Sequence, residues 1–176
     1  MRQATDYTCG AAALMSVLYY YQRYDGREIA LGERLGSTEH DGTHAARIAA
    51  VAREFGLQAN MEEHSTIEQI RASLARRDPV IVDLQAWTDD PAHVRWRDAW
   101  EDGHFVVVVG LDAERLYVMD PATAGGYAYV PLSELPDRWH DYEDIDGGRV
   151  ELHELSIFFG GDRAMTTYPR APARMY

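Results

Sequence analysis

The chain has 176 residues, 46% of them apolar and 26% charged, a length and balance that fit one soluble domain with a single sizeable core. The formal charge is −12, from 29 acidic and 17 basic residues, and every basic residue is Arg. A negative surface argues against a nucleic-acid partner, and the absence of Lys excludes a phosphate-binding loop of the Lys-Ser/Thr type and Schiff-base chemistry. No apolar run is long enough to span a bilayer, and the N-terminus lacks a signal-peptide layout. With a single Cys no intramolecular disulfide forms, so a reducing, cytoplasmic setting is expected.

The first half reads as helical. Residues 11–21 carry Leu14, Val17, Leu18 and Tyr21 at helical spacing, with Asp25 and Gly26 as the stop. "GTHAARIAAVAREFG" predicts a second helix, capped by Thr43, striped by Ile48, Val51, Ala52 and Phe55, and ended by Gly56. "STIEQIRASLARRD" predicts a third, with Ser65 or Thr66 as cap and Glu68 in the first turn; "LQANME" between them suits a short strand. After Asp78 and Pro79 the pattern changes to strands. "VIVDL" is a continuous, buried-strand run, "HFVVVVGL" and "LYVMD" flank the turn "DAER" as a hairpin, and "GYAYVP" and "ELSIFF" add two more. Helices first and strands second predict an α+β fold, a helical N-terminal half packed on an antiparallel sheet. Residues 1–160 are expected to form the single domain and residues 161–176 an extended tail. Residues 85–103, "QAWTDDPAHVRWRDAWEDG", form a long acidic connection with three tryptophans, a length usual for functional lids.

Cys9 opens the first helix. A lone Cys is most often a small buried hydrophobe, but the first turn of a helix stabilises a thiolate through its dipole and unpaired N–H groups. Gly10 leaves room for a substrate backbone to approach, and Gln3 is placed to aim an amide N–H at an oxyanion. Such a nucleophile needs a base and the base an orienting group. Of seven histidines, His104 stands apart: it opens an apolar strand directly after Gly103, while Asp120 closes the partner strand before Pro121. On a hairpin turning at residues 112–115, both fall at the same open end. Metal readings are weaker. His40 and His44 lie in a Gly-bearing loop with no second ligand pair, and "YEDIDGG" begins and ends wrongly for a calcium loop, so it reads as a solvated acidic turn. No metal or cofactor is expected.

Gln3, then Cys9-Gly10-Ala11-Ala12, then "GHFVVVVGLD" and "LYVMDP" together resemble the bacteriocin-processing, double-glycine leader cysteine peptidases (peptidase family thirty-nine) of the papain-like superfamily. The helical segments follow that family's order too. The resemblance implies a papain-like fold, with Cys9 as nucleophile, His104 as general base and acid, Asp120 as orienting carboxylate and Gln3 as oxyanion donor beside the Cys9 backbone N–H. It further implies hydrolysis of a peptide or protein substrate after small residues, typically Gly-Gly, through a thioester. The better-known members are domains of peptide-exporting transporters. No membrane span or nucleotide-binding domain is expected here, so the resemblance is to the stand-alone branch. The connection before His104 is longer here, and Trp87, Trp96 and Trp100 are expected either to pack that loop or to line the substrate cleft with Gly10 and Gly103. Two alternatives stand: acyl or peptidyl transfer on the same thioester, and a non-catalytic peptide-binding domain.

Overall fold

The computed structural model describes residues 2–90, 92–123 and 125–162. Its centre is a six-stranded antiparallel sheet in the order β1-β8-β2-β3-β4-β5, formed by β1 (Gln58–Glu62), β2 (Val80–Gln85), β3 (Gly103–Leu111), β4 (Arg115–Met119), β5 (Tyr127–Pro131) and β8 (Ser156–Gly160). A separate hairpin pairs β6 (His140–Ile145) with β7 (Gly148–His153). The expected α+β division holds: α1 (Cys9–Tyr20), α2 (Glu28–Leu35), α3 (Ala45–Glu54) and α4 (Ile67–Ala75) precede most of the sheet, and α5 (Leu135–Arg138) follows β5.

The β-branched runs of β2 and β3 are continuous because both faces of the sheet are covered. Ile81, Phe105 and Val107 pack with Leu14, Leu18, Ile48 and Val51 of α1 and α3. Val82, Leu84, Val106 and Val108 alternate to the other face, against Ile70 of α4 and Trp139. α1 is buried over most of its circumference, so its apolar residues do not form a single stripe.

Several local expectations are refined. Thr66 caps α4 in a capping box with Gln69. His44, not Thr43, occupies the cap position of α3; the Thr43 hydroxyl lies 2.6 Å from that of Ser37 instead. The acidic "YEDIDGG" is not an isolated turn. It is part of β6 and β7, joined through Asp146 and Gly147, both at positive φ (54° and 78°), the geometry that a two-residue hairpin turn demands. α2 and α5, eight and four residues long, are too short to announce themselves in the sequence. Beyond Asp162 the expected tail lies outside the described residues.

Candidate active site

α1 starts at Cys9, so the thiol sits in the first helical turn, where backbone N–H groups have no intrahelical acceptor. The turn before it is fixed by Thr8, whose hydroxyl donates to the Thr5 carbonyl at 3.1 Å and accepts from the Thr5 N–H at 3.2 Å. The Cys9 side chain is apolar-walled and only 9% exposed.

β2 and β3 pair from Val80–Val108 down to Gln85–Gly103, which places His104 one pair from the sheet's open end. β4 pairs with β3 through Met119 and Val107, and the chain continues directly into Asp120. The hairpin thus brings His104 and Asp120 together as expected: His104 Nε2 donates to Asp120 Oδ1 at 2.8 Å, with the residues 6% and 2% exposed. His104 also interacts with the Cys9 thiol, and with Nε2 given to Asp120 the ring nitrogen left for that interaction is Nδ1. Burial alone disfavours the imidazolium, but the bonds to Asp120 and then Cys9 outweigh it and lift the ring to about 9. Burial likewise pushes Asp120 up, yet the His104 bond, the Thr123 hydroxyl and the Ala122 N–H hold it below the usual carboxylate range. The Ala122 N–H is 2.8 Å from Asp120 Oδ1, and the Thr123 hydroxyl donates to Oδ2.

Gln3 reaches the same corner from the N-terminus. Its backbone N–H donates to the Pro121 carbonyl at 3.0 Å, and the next N–H, of Ala4, donates to Glu28 Oε2 at 3.1 Å. Gln3 Nε2 donates to the Thr5 carbonyl at 3.0 Å, while Oε1 is buried without a hydrogen-bond partner. An amide nitrogen carries two protons, so one N–H remains beyond the Thr5 contact.

The two glycines have internal reasons. A Cβ on Gly10 would lie 2.7 Å from Thr43 Cβ and 3.0 Å from Ile48 Cδ1, so the room it leaves is filled by the start of α3 and not by an open cleft. A Cβ on Gly103 would collide with the carboxylate of Asp141 in β6.

Residues 85–103 are held at both ends and in the middle. The Ala86 N–H donates to the Asp102 carbonyl at 3.0 Å. Arg138 donates to the carbonyls of Gln85 (2.9 Å) and Ala86 (2.6 Å), and its guanidinium lies over the Trp96 ring at 3.9 Å. His140 Nε2 bonds the Ala99 carbonyl at 2.7 Å and its ring packs 4.3 Å from that of Trp100, which also receives Arg149 at 4.8 Å. Trp96 and Trp100 therefore anchor the loop to the body, whereas Trp87 is 49% exposed. Arg138, His140, Asp141, Asp83 and Gln85 escaped sequence reading because they lie in short or apolar-looking segments; the adjacent Arg138-Trp139-His140-Asp141 run was the available signal.

An α+β fold that sets a Cys at the start of its central helix against a His–Asp pair on a neighbouring hairpin defines the papain-like class. Within it, the chain belongs to the Peptidase_C39 like family, whose model matches residues 1–146. Solved structures agree on the fold. A double glycine motif protease from an AMS/PCAT transporter, in complex with its leader peptide, is 22% identical, with a TM-score of 0.61 over 90% of this chain and 88% of that one. A putative C39-like peptidase from Bacillus anthracis is 16% identical, with a TM-score of 0.67 over 93% and 94%. The peptidase domain of Streptococcus ComA, a bifunctional ABC transporter of a quorum-sensing pathway, is 18% identical, with a TM-score of 0.65 over 92% and 97%. A search of curated proteins found no match. Among the described residues no helix is long and apolar enough to cross a membrane.

Proposed function

We propose that the protein is a cysteine peptidase that hydrolyses a peptide bond after small residues, of the Gly-Gly type, through a thioester acyl-enzyme. The observation that carries this reading is the chain of contacts from the Cys9 thiol through His104 to Asp120, with 2.8 Å between Nε2 and Oδ1. In the proposed sequence the Cys9 proton moves to His104 Nδ1 and sulfur attacks the carbonyl carbon. The oxyanion that forms is stabilised by the Cys9 backbone N–H and the second N–H of Gln3 Nε2. His104 then gives its proton to the leaving amine, and the C–N bond breaks to leave the thioester. Water, deprotonated by the same ring, adds to that carbonyl, and collapse releases the carboxylic acid and the thiol. Asp120 holds the ring's orientation and balances its charge throughout.

Two features support a substrate of small residues. With Cys9 only 9% exposed, sulfur is reached by a slim extended backbone far more readily than by one bearing bulky side chains. The double glycine motif protease that shares the fold was solved with a leader peptide bound. The well-anchored loop at residues 85–103 ends against His104 and serves as one wall of the cleft, with Trp87 offering exposed apolar surface.

The test is mass spectrometry of products from a panel of peptides with Gly-Gly, Gly-Ala and bulky pairs, using wild type and Cys9→Ala. A free carboxylate at the cut, favoured for Gly-Gly and absent with Cys9→Ala, is expected. An amide to an added amine acceptor would identify a transferase, and peptide binding without any product would identify a binding domain.

A further inference from the structure

The mechanism leaves a buried acid unused. Asp83 of β2 is 2% exposed and hydrogen-bonds through its side chain to Asp141 of β6. Its other oxygen, Oδ1, is buried with no hydrogen-bond partner. A carboxylate in that setting would be a buried charge with one oxygen unsolvated, and two touching carboxylates cannot both ionise. The proton therefore resides on Asp83, which donates it to Asp141. Burial is the main cause of an Asp83 acidity well weaker than usual, and the negative charge of Asp141, Cys9 and Glu143 acts in the same direction. Asp141 is lifted by burial to about 6, against the hydrogen bonds it accepts from the Tyr142 N–H, Asp83 and Gln85.

The pair sits where the site is assembled. The Asp141 carboxylate fills the space a side chain would take at Gly103, the residue before His104. Gln85 Nε2 donates to Asp141 Oδ1 at 3.1 Å and to the His140 carbonyl at 3.2 Å, and Gln85 Oε1 accepts from the Asp102 N–H at 3.1 Å. β2, β6 and the end of the 85–103 loop thus converge on the first residue of β3, and the same Asp83 is near enough to Cys9 of α1 for the charge of one to act on the other.

We propose that Asp83 and Asp141 form a positioning element for the Cys9–His104 couple: Asp141 fixes the start of β3 that carries His104, and protonated Asp83 keeps the wall beside Cys9 uncharged. The kinetic consequence rests on the peptidase reading above; the effect on His104 and Cys9 does not.

The experiment uses the full chain with Asp141→Ala, Asp83→Ala, Asp83→Asn, Gly103→Ala and the Gly103→Ala/Asp141→Ala double variant. NMR titration of His104, alkylation of Cys9 by iodoacetamide and peptide kinetics are the readouts. Asp141→Ala and Asp83→Ala are expected to lower the His104 midpoint by at least one pH unit, to slow alkylation at pH 7 several-fold, and to cut kcat tenfold or more with KM within about twofold. Asp83→Asn, whose amide still donates to Asp141, is expected to lose clearly less than Asp83→Ala. Gly103→Ala should reproduce the Asp141→Ala defect by displacing the carboxylate, and the double variant should be no better than Asp141→Ala. If Asp141→Ala does not fold, the contrast between Asp83→Asn and Asp83→Ala decides by the same readouts. The proposal is overturned if the alanine variants lose only thermal stability while keeping the wild-type His104 midpoint and Cys9 reactivity, or if the double variant regains wild-type rates. A wild type that cleaves no peptide would sink the peptidase reading alone, since the titration and alkylation still report on positioning.

Discussion

Replacing Asp120 with Asn removes the charge opposite His104 and keeps the volume. The wild-type ring is lifted from 6.5 to about 9 against its own burial, with the Asp120 bond the largest lifting cause and Cys9 the next. At ~1.4 kcal/mol per tenfold change in proton affinity, that lift amounts to about 3 kcal/mol favouring the charged ring. The folded protein holds this proton more tightly than the unfolded chain, so the stabilisation is fully present below pH 6.5 and is lost as pH rises through about 9. In Asp120→Asn, burial opposes only Cys9, so the midpoint should fall by more than one pH unit. Most of the stability loss between pH 6.5 and 9 should then vanish. Histidine-selective NMR gives the midpoint, and urea melts from pH 6 to 10 give the stability profile. A variant ring that still titrates at about 9 would refute the assignment of Asp120 as the principal partner.

Cys9→Ala and His104→Ala are each expected to abolish peptide hydrolysis, with the double variant no worse than either single one because they serve one step; an active His104→Ala would remove the proposed base. Gln3→Ala should lower kcat roughly a hundredfold or more at little change in KM, as for one lost oxyanion donor, and an equal effect on KM would reassign Gln3 to substrate binding. Trp96→Ala, which strips the ring from beneath Arg138, should cost about 1 kcal/mol or more in thermal unfolding, whereas Trp87→Ala should raise KM without moving Tm; the reverse pattern would exchange the anchoring and substrate-facing roles. Gly10→Ala should destabilise by about 1–3 kcal/mol, because its Cβ meets Thr43 and Ile48, and an unchanged Tm would mean that α3 yields without cost.

How much was legible in the sequence differed by scale. The strands were plain because both sheet faces are buried, so β2 and β3 read as unbroken β-branched runs. The His104–Asp120 meeting followed from one hairpin, a local inference that pairing geometry makes dependable. Cys9 meeting His104 joins residues 95 positions apart; the residues singled out His104 as the candidate base, and the resemblance supplied the pairing. α2 and α5 were missed because each is a short helix. The Asp83–Asp141 contact could not be read from the chain at all: Asp83 looks like a stray polar residue in "VIVDL", and Asp141 lies just before the "YEDIDGG" read as a solvated acidic turn. Gly10 and Gly103 were legible as small but not for the right cause, since what occupies the vacant space comes from distant segments.

The same network answers a problem set by the composition. In a chain of net charge −12, Asp83 interacts with Cys9 and Asp120 with its partner His104, while Asp141 and Glu143 act on Asp83 from behind, and unpaired carboxylates there would oppose a developing thiolate. Each is dealt with differently. Asp120 is committed to the imidazolium and to two further donors, so its charge is balanced within the couple it orients. Asp141 accepts from Gln85, the Tyr142 N–H and Asp83, which spreads its charge into the hairpin. Glu143 accepts the Ala45 N–H at the start of α3 at 2.6 Å and lies 3.1 Å from His44 Nδ1, turning its charge toward a helix N-terminus. Asp83, with one oxygen buried and without a hydrogen-bond partner, has its charged form disfavoured chiefly by its own burial. The β6–β7 hairpin supplies two of these four acids and, through His140, also grips the 85–103 loop. One small element therefore couples the acids near Asp83 to the loop proposed as a wall of the cleft. A change in how that hairpin seats should alter both together.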